Sequence, residues 1–247
     1  MAEINTPIEQ RVSDLATRVA QEIKTVRGEI VAGGQVTTAD KVKLADGTSV
    51  QEQIDNILYK KVEITAFSNS VNVVELGSTV DNVTLTWTIN KTPTSLALDG
   101  EQLDVSLKTK ALTGLGLEAN KTWNLTATDA RNATSTKSTT LQFLNGRYFG
   151  TGAVNADGVT DTFVQGLSKA LVGSRACDFT VNAAEGQYIY FAIPARFGTP
   201  SFFVGGFEGG FTLLKTFDYT NRSGYTESYT VYKSDNAGLG STKVTVK

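Results

Sequence analysis

Val83-Thr84-Leu85-Thr86-Trp87-Thr88-Ile89 alternates apolar and hydroxyl-bearing residues without a break. Successive side chains of a strand point to opposite faces, so Val83, Leu85, Trp87 and Ile89 fall on one side and the three threonines on the other. That is a strand with one face in a core and one in water. The period recurs downstream, with Trp123, Leu125 and Ala127 alternating against Asn124, Thr126 and Thr128, and then Leu141 and Phe143 against Thr140 and Gln142. Asp81-Asn82, Asp99-Gly100 and Asp129-Ala130 supply turn chemistry between such runs.

Residues 62–145 are therefore expected to form an Ig-like β-sandwich, with the two tryptophans facing inward from separate strands. The run 83–88 followed by Trp123-Asn124-Leu125-Thr126-Ala127-Thr128-Asp129-Ala130 resembles bacterial-type immunoglobulin-like modules. The paired cysteines of antibody domains are missing, so the resemblance is one of architecture, and it implies a spacer more than a binder.

Residues 146–247 differ in composition, holding 15 of the 23 glycines and 17 of the 20 Phe and Tyr residues. Short strands are expected at 178–181, 187–193, 201–204, 228–232 and 242–246, divided by Gly, Pro and Asn. This predicts a second all-β domain. Aromatics that alternate within strands belong to its core. Phe207, Phe211, Tyr219 and Tyr225, read as loop aromatics beside glycines or turns, are the candidate ligand contacts, suited to a sugar or a protein loop.

Upstream, Ile8, Val12, Leu15, Val19, Ile23, Val26 and Ile30 recur at helical spacing and repeat every eleven residues, from Ile8 to Val19 to Ile30. An eleven-residue repeat corresponds to ~3.67 residues per turn and a straight or slightly right-handed bundle. Thr6-Pro7-Ile8-Glu9 is a helix start, with a capping threonine, a proline at the first helical position and a glutamate three residues after the cap. Glu9, Gln10, Asp14, Arg18 and Lys24 make the remaining faces polar. A narrow apolar stripe on a polar helix calls for a partner, and these seven residues are read as a seam between copies of the chain. Ala32-Gly33-Gly34 follows as a joint. Beyond it, Val42 and Leu44 lead into a turn at Asp46-Gly47 and a short helix through Val50, Ile54, Ile57 and Leu58, capped by Thr48 or Ser49.

The chemistry available is narrow. The 247 residues include no histidine and one cysteine. This removes the usual general base, every triad built on imidazole, zinc and iron-sulfur ligand sets, and any internal disulfide at Cys177. Carboxylate chemistry survives in principle, as in a glycan depolymerase. Asp99, Glu101 and Asp104, and Asp157 with Asp161, are its candidates, and all sit in turn-like settings where Asp and Asn bond local backbone. No catalytic residue, metal or cofactor is assigned. With 23 basic and 25 acidic residues there is no excess for nucleic acid. No run reaches the ~18 to 20 apolar residues of a membrane span, and no secretory leader is read between Ala2 and Ile30, so synthesis in soluble form inside a cell is expected.

The pattern Val42-x-x-x-Asp46-Gly47-x-Ser49-Val50-Gln51-x-x-Ile54-Asp55-x-Ile57 resembles a linker of tailed-bacteriophage fibre and spike proteins, and Pro7 to Arg27 is similar to their amphipathic first helix. Together these cover about the first 60 residues. The resemblance implies a homotrimer held on a virion through residues 1–61, touching other virion structural proteins there, with the far domain turned to a host-surface glycan or protein. A capsid or baseplate decoration protein without receptor binding is the alternative within the same class.

Overall fold

The computed structural model describes residues 8–30 and 38–247, with side chains in the first helix described through Thr25. The helix start at Thr6-Pro7 and the joint at 32–34 lie outside the described residues. The chain divides into two compact units, residues 1–61 and 62–247.

In the first unit, α1 spans Ile8–Ile30 and α2 spans Val50–Leu58. Thr48 is drawn back to the preceding turn, its backbone N–H and hydroxyl both donating to Asp46 Oδ1 at 3.0 and 2.6 Å. Ser49 is thereby left to cap α2. Its Oγ accepts the Glu52 N–H at 3.1 Å, and the Glu52 carboxylate accepts the Ser49 N–H at 2.6 Å, a reciprocal capping box.

The second unit is mainly β. Its first part holds β1 (Ile64–Asn69), β2 (Val73–Glu75), β3 (Val83–Ile89), β4 (Ser95–Leu98), β5 (Glu101–Leu103), β6 (Thr109–Leu112) and β7 (Lys121–Thr128). Then come β8 (Thr134–Gly152), α3 (Asp161–Gln165), β9 (Ser168–Val172), β10 (Cys177–Ala183), β11 (Tyr188–Pro194), β12 (Phe202–Val204), β13 (Phe207–Glu208), β14 (Phe211–Thr220), β15 (Thr226–Ser234) and β16 (Gly240–Val246). One sheet runs β1-β3-β6, a second β10-β16-β12-β13, and a third β14-β15-β11-β8-β7-β4-β5. β3 alternates strictly between buried and exposed, as its threonines predict. Its inward residues share one core with Leu96, Leu98, Trp123, Leu125, Leu141 and Phe143 of the third sheet.

The boundary expected between residues 145 and 146 falls inside β8. This strand pairs with β7 through Leu141 and runs parallel to β2 at 142–144. It then pairs with β9 from Asn145 and with β11 from Tyr148. One uninterrupted backbone thus belongs to both β regions. Gly146 and Gly150 in mid-strand do not end it, because the ladder bonds of β9 and β11 continue past them.

β11 is buried on both faces, which explains its nearly continuous apolar run. Ile189, Phe191 and Ile193 enter one cluster with Phe179, Phe202, Val244 and Val246. Tyr190 and Ala192 enter another with Tyr148, Val164, Tyr219 and Tyr229.

Candidate functional site

Three of the apolar stripe residues of α1 are exposed. Ile8 is 74% exposed, Val12 47% and Ile23 50%, while Leu15 and Val19 are half-buried. The side chains of Val26 and Ile30 lie outside the described residues. Apolar side chains repeated along one helix in this state represent burial that another surface can supply.

The four candidate aromatics separate into different environments. Phe207, on the two-residue edge strand β13, is 82% exposed. Phe211 is not a loop residue: it opens β14 and stacks on Phe202 with ring centroids 4.3 Å apart. Tyr219 also lies in β14 and is 1% exposed, with its hydroxyl donating to the Tyr148 hydroxyl at 2.9 Å. β14 escapes a period-2 reading because a bulge between Leu213 and Lys215 breaks its register, placing two leucines in succession. Tyr225 is half-exposed and follows a turn that docks on the first β region. There Asn221 Oδ1 accepts the N–H groups of Ser223 and Tyr225, and Asn221 Nδ2 donates to the Leu76 carbonyl at 2.8 Å.

That turn is part of a polar joint. Glu75, 8% exposed, receives the Tyr148 hydroxyl at 3.0 Å on one oxygen and the Lys169 ammonium at 2.8 Å on the other. A buried carboxylate is tolerable only when both oxygens are bonded in this way. Tyr229 donates to the Gly146 carbonyl at 2.8 Å. Burial raises the Tyr148, Tyr190, Tyr219 and Tyr229 hydroxyls above the ordinary value of 10.0. They are neutral hydrogen-bonding groups at any physiological pH.

Four of the five carboxylates singled out from the sequence are engaged by other groups of the fold. Asp99, at φ 48°, accepts the Asn124 N–H at 2.8 Å, and Glu101 pairs with Lys110 at 2.8 Å. Asp104 accepts the backbone N–H and hydroxyl of Ser106, which hold it below its ordinary value of 3.8. Asp161 accepts the Thr220 N–H at 3.2 Å, and Asp157 is exposed. Among the described residues no three His, Cys, Asp or Glu side chains gather as a metal-ligand set.

One concave surface was missed in the strand reading. The outer face of the β10-β16-β12-β13 sheet carries an open groove of about 730 Å³ lined by Phe203, Gly205, Ser241, Lys243, Thr245 and Lys247, among others. Strand alternation builds it, since Val244 and Val246 point into the core and Lys243 and Thr245 point out. Across the strands the row reads Asp178, Thr245, Phe203, Glu208. Asp178 receives Lys243 at 2.7 Å and the Thr245 hydroxyl at 2.6 Å, and these bonds, Lys243 first, lower its carboxyl below the ordinary value. The Lys247 ammonium sits 4.5 Å from the centre of the Phe203 ring. The period-2 run Ser241, Lys243, Thr245 is a visible signal of an outward row, whereas Phe203 gives none, because an aromatic within a short strand reads more readily as core.

No family model matches the chain, and no curated protein matches it. Among solved structures there is similarity to the N-terminal eight Ig domains of Down Syndrome Cell Adhesion Molecule (DSCAM) isoform 1.30.30, at 11% identity and a TM-score of 0.23, over 74% of this chain and 26% of that one. Sidekick-1 immunoglobulin domains 1–4 give 12% identity and 0.27, over 76% and 49%. Chitinase ChiA74 from Bacillus thuringiensis gives 13% and 0.23, over 85% and 32%. The chain thus spans between 26% and 49% of the length of these structures. Likenesses at these scores carry no argument about architecture or activity. The mainly β character rests on the strand pairing itself.

Proposed function

We propose that this chain is a non-catalytic, self-associating structural protein: a homotrimeric phage virion fibre held to other virion proteins through residues 1–61. Residues 62–145 act as an Ig-like spacer, and residues 146–247 present a contact surface to a host-surface glycan or protein. The observation that carries this reading is the exposed apolar stripe of α1, which gains burial only when another surface covers it. Trimer over dimer rests on the resemblance of the first 60 residues to fibre proteins. Carboxylates spent on turns and ion pairs favour the non-catalytic reading.

Light scattering of the full chain should give three times 26.4 kDa. Labelled antibody should mark the protein on intact particles by electron microscopy. A monomer at micromolar concentration, or particles without label, would sink the proposal. Host polysaccharide incubated with the protein should keep its length distribution. Depolymerisation abolished in Asp99→Ala or Asp157→Ala would overturn the non-catalytic part alone.

A further inference from the structure

We infer that the groove on the outer face of the β10-β16-β12-β13 sheet binds a carboxylate-bearing oligosaccharide, with the Lys247 ammonium meeting the carboxylate and the Phe203 ring lying under a sugar. The inference rests on the reading of residues 146–247 as a contact surface and gives that surface a location and a ligand class.

The lining decides the chemistry. Its volume, about 730 Å³, falls within the ~300–1,000 Å³ of small-molecule sites. It offers one aromatic ring, the outward hydroxyls of Ser241 and Thr245, and two ammonium groups. Hydroxyls and ammoniums beside a single ring match a pyranose, which has hydroxyls around its rim and C–H groups on its faces to meet the negative face of an aromatic. Both charged residues in the lining are basic. Lys243 is neutralised by Asp178. Lys247 has no carboxylate partner among the described residues and rests over Phe203 instead. Phe203 is half-buried, and a cation over a ring at an open surface is weakly held, whereas a hydrogen bond between ammonium and carboxylate is among the stronger polar contacts. An arriving carboxylate can therefore draw Lys247 off the ring and free the ring face for the sugar. Glu208 stands on edge strand β13, outside the lining.

A peptide fits less well. β16 lies between β10 and β12, so its backbone groups are spent in ladders on both sides and no strand can add there. The walls also lack a deep apolar pocket for a side-chain anchor, because Val244 and Val246 face the other way. The Gly205-Gly206 turn, at φ 60° and 88°, keeps one end open, with empty space where side chains would otherwise project.

The test is calorimetric titration of the full chain with galacturonate, mannuronate and sialate trimers, each beside its neutral carboxyl-reduced counterpart. At least one acidic member should bind, with its reduced form weaker by about tenfold or more. Lys247→Ala should remove that difference by weakening only the acidic ligand. Phe203→Ala should weaken both forms, and Phe203→Leu should do the same while keeping apolar volume in the strand. The inference is overturned if no member binds at millimolar concentration, if acidic and neutral forms bind equally, if Phe203→Ala leaves both forms unchanged, or if polyglutamate binds as well as the glycan. Cell binding that survives Lys247→Ala and Phe203→Ala would overturn the groove and leave host attachment standing. Glycan binding by a chain that fails to bind cells would do the reverse.

Discussion

Gly77 shows how a single residue ties the two β regions together. It has φ 88°, and a Cβ built there would lie 2.7 Å from Tyr225 Cβ and 3.1 Å from the Ser223 carbonyl oxygen. Gly77→Ala therefore combines an unfavourable left-handed backbone with a clash against a docked turn, and should destabilise residues 62–247 by roughly 1–3 kcal/mol in denaturant titration. Tyr148 is the second such residue, since its hydroxyl donates to Glu75 and accepts from Tyr219. Tyr148→Phe leaves two buried polar groups short of a partner and should cost about 1–3 kcal/mol at neutral pH. Four tyrosines have folded pKa values raised above 10.0, so above that pH the unfolded chain releases protons that the folded chain keeps. Their contribution is fully present below pH 10 and is lost as pH rises beyond it. Stability measured across this range should fall steeply for the wild type and less steeply for Tyr148→Phe. None of this was legible in the sequence. Tyr219 looked like a loop aromatic because its hydrogen-bond partner, Tyr148, lies far away in the chain, and spacing along a sequence carries no information about such contacts.

At the scale of elements, legibility followed the regularity of burial. β3 and α1 have one buried or buriable face and a constant period, and the sequence pattern matches both of them end to end. β14 has a bulge, and α3 has five residues capped by Thr160, too few for a helical period to appear. The groove was half legible: three of the four strands of its sheet, β10, β12 and β16, match expected strands, whereas β13 is too short for a period to appear and alternation alone does not mark the outward row of β16 as a surface. α1 also carries the sharpest element-level test. Replacing Val19 and Ile23 together with Asp places two charges in the stripe, and a charge at a buried seam is strongly unfavourable. Light scattering should show dissociation to monomers. The thermal transition of residues 62–247 should be unchanged, because those strands form a separate unit. An assembly that survives the double substitution would show that α1 is not the seam.

At the scale of the molecule, the question is whether residues 62–145 and 146–247 unfold together. β8 runs through both, Glu75 is neutralised by Lys169 from the other region, and Asn221 bonds the Leu76 carbonyl. Breaking any of these while both regions stay folded would strand a buried polar group, so the coupling favours one transition. The tryptophans allow a direct reading, since the two in the chain, Trp87 and Trp123, both lie in the first core, whereas the clustered tyrosines lie in the second. Tryptophan fluorescence and tyrosine near-ultraviolet circular dichroism should therefore report the same denaturant midpoint for residues 62–247. Glu75→Gln weakens the joint without touching either apolar core, and should separate the two midpoints or broaden the transition. Midpoints already separate in the wild type would make the two regions independent domains, with a boundary near residue 145 despite the continuous strand. Coincident midpoints would make them one cooperative unit, joined through β8 and through the Glu75 and Asn221 contacts.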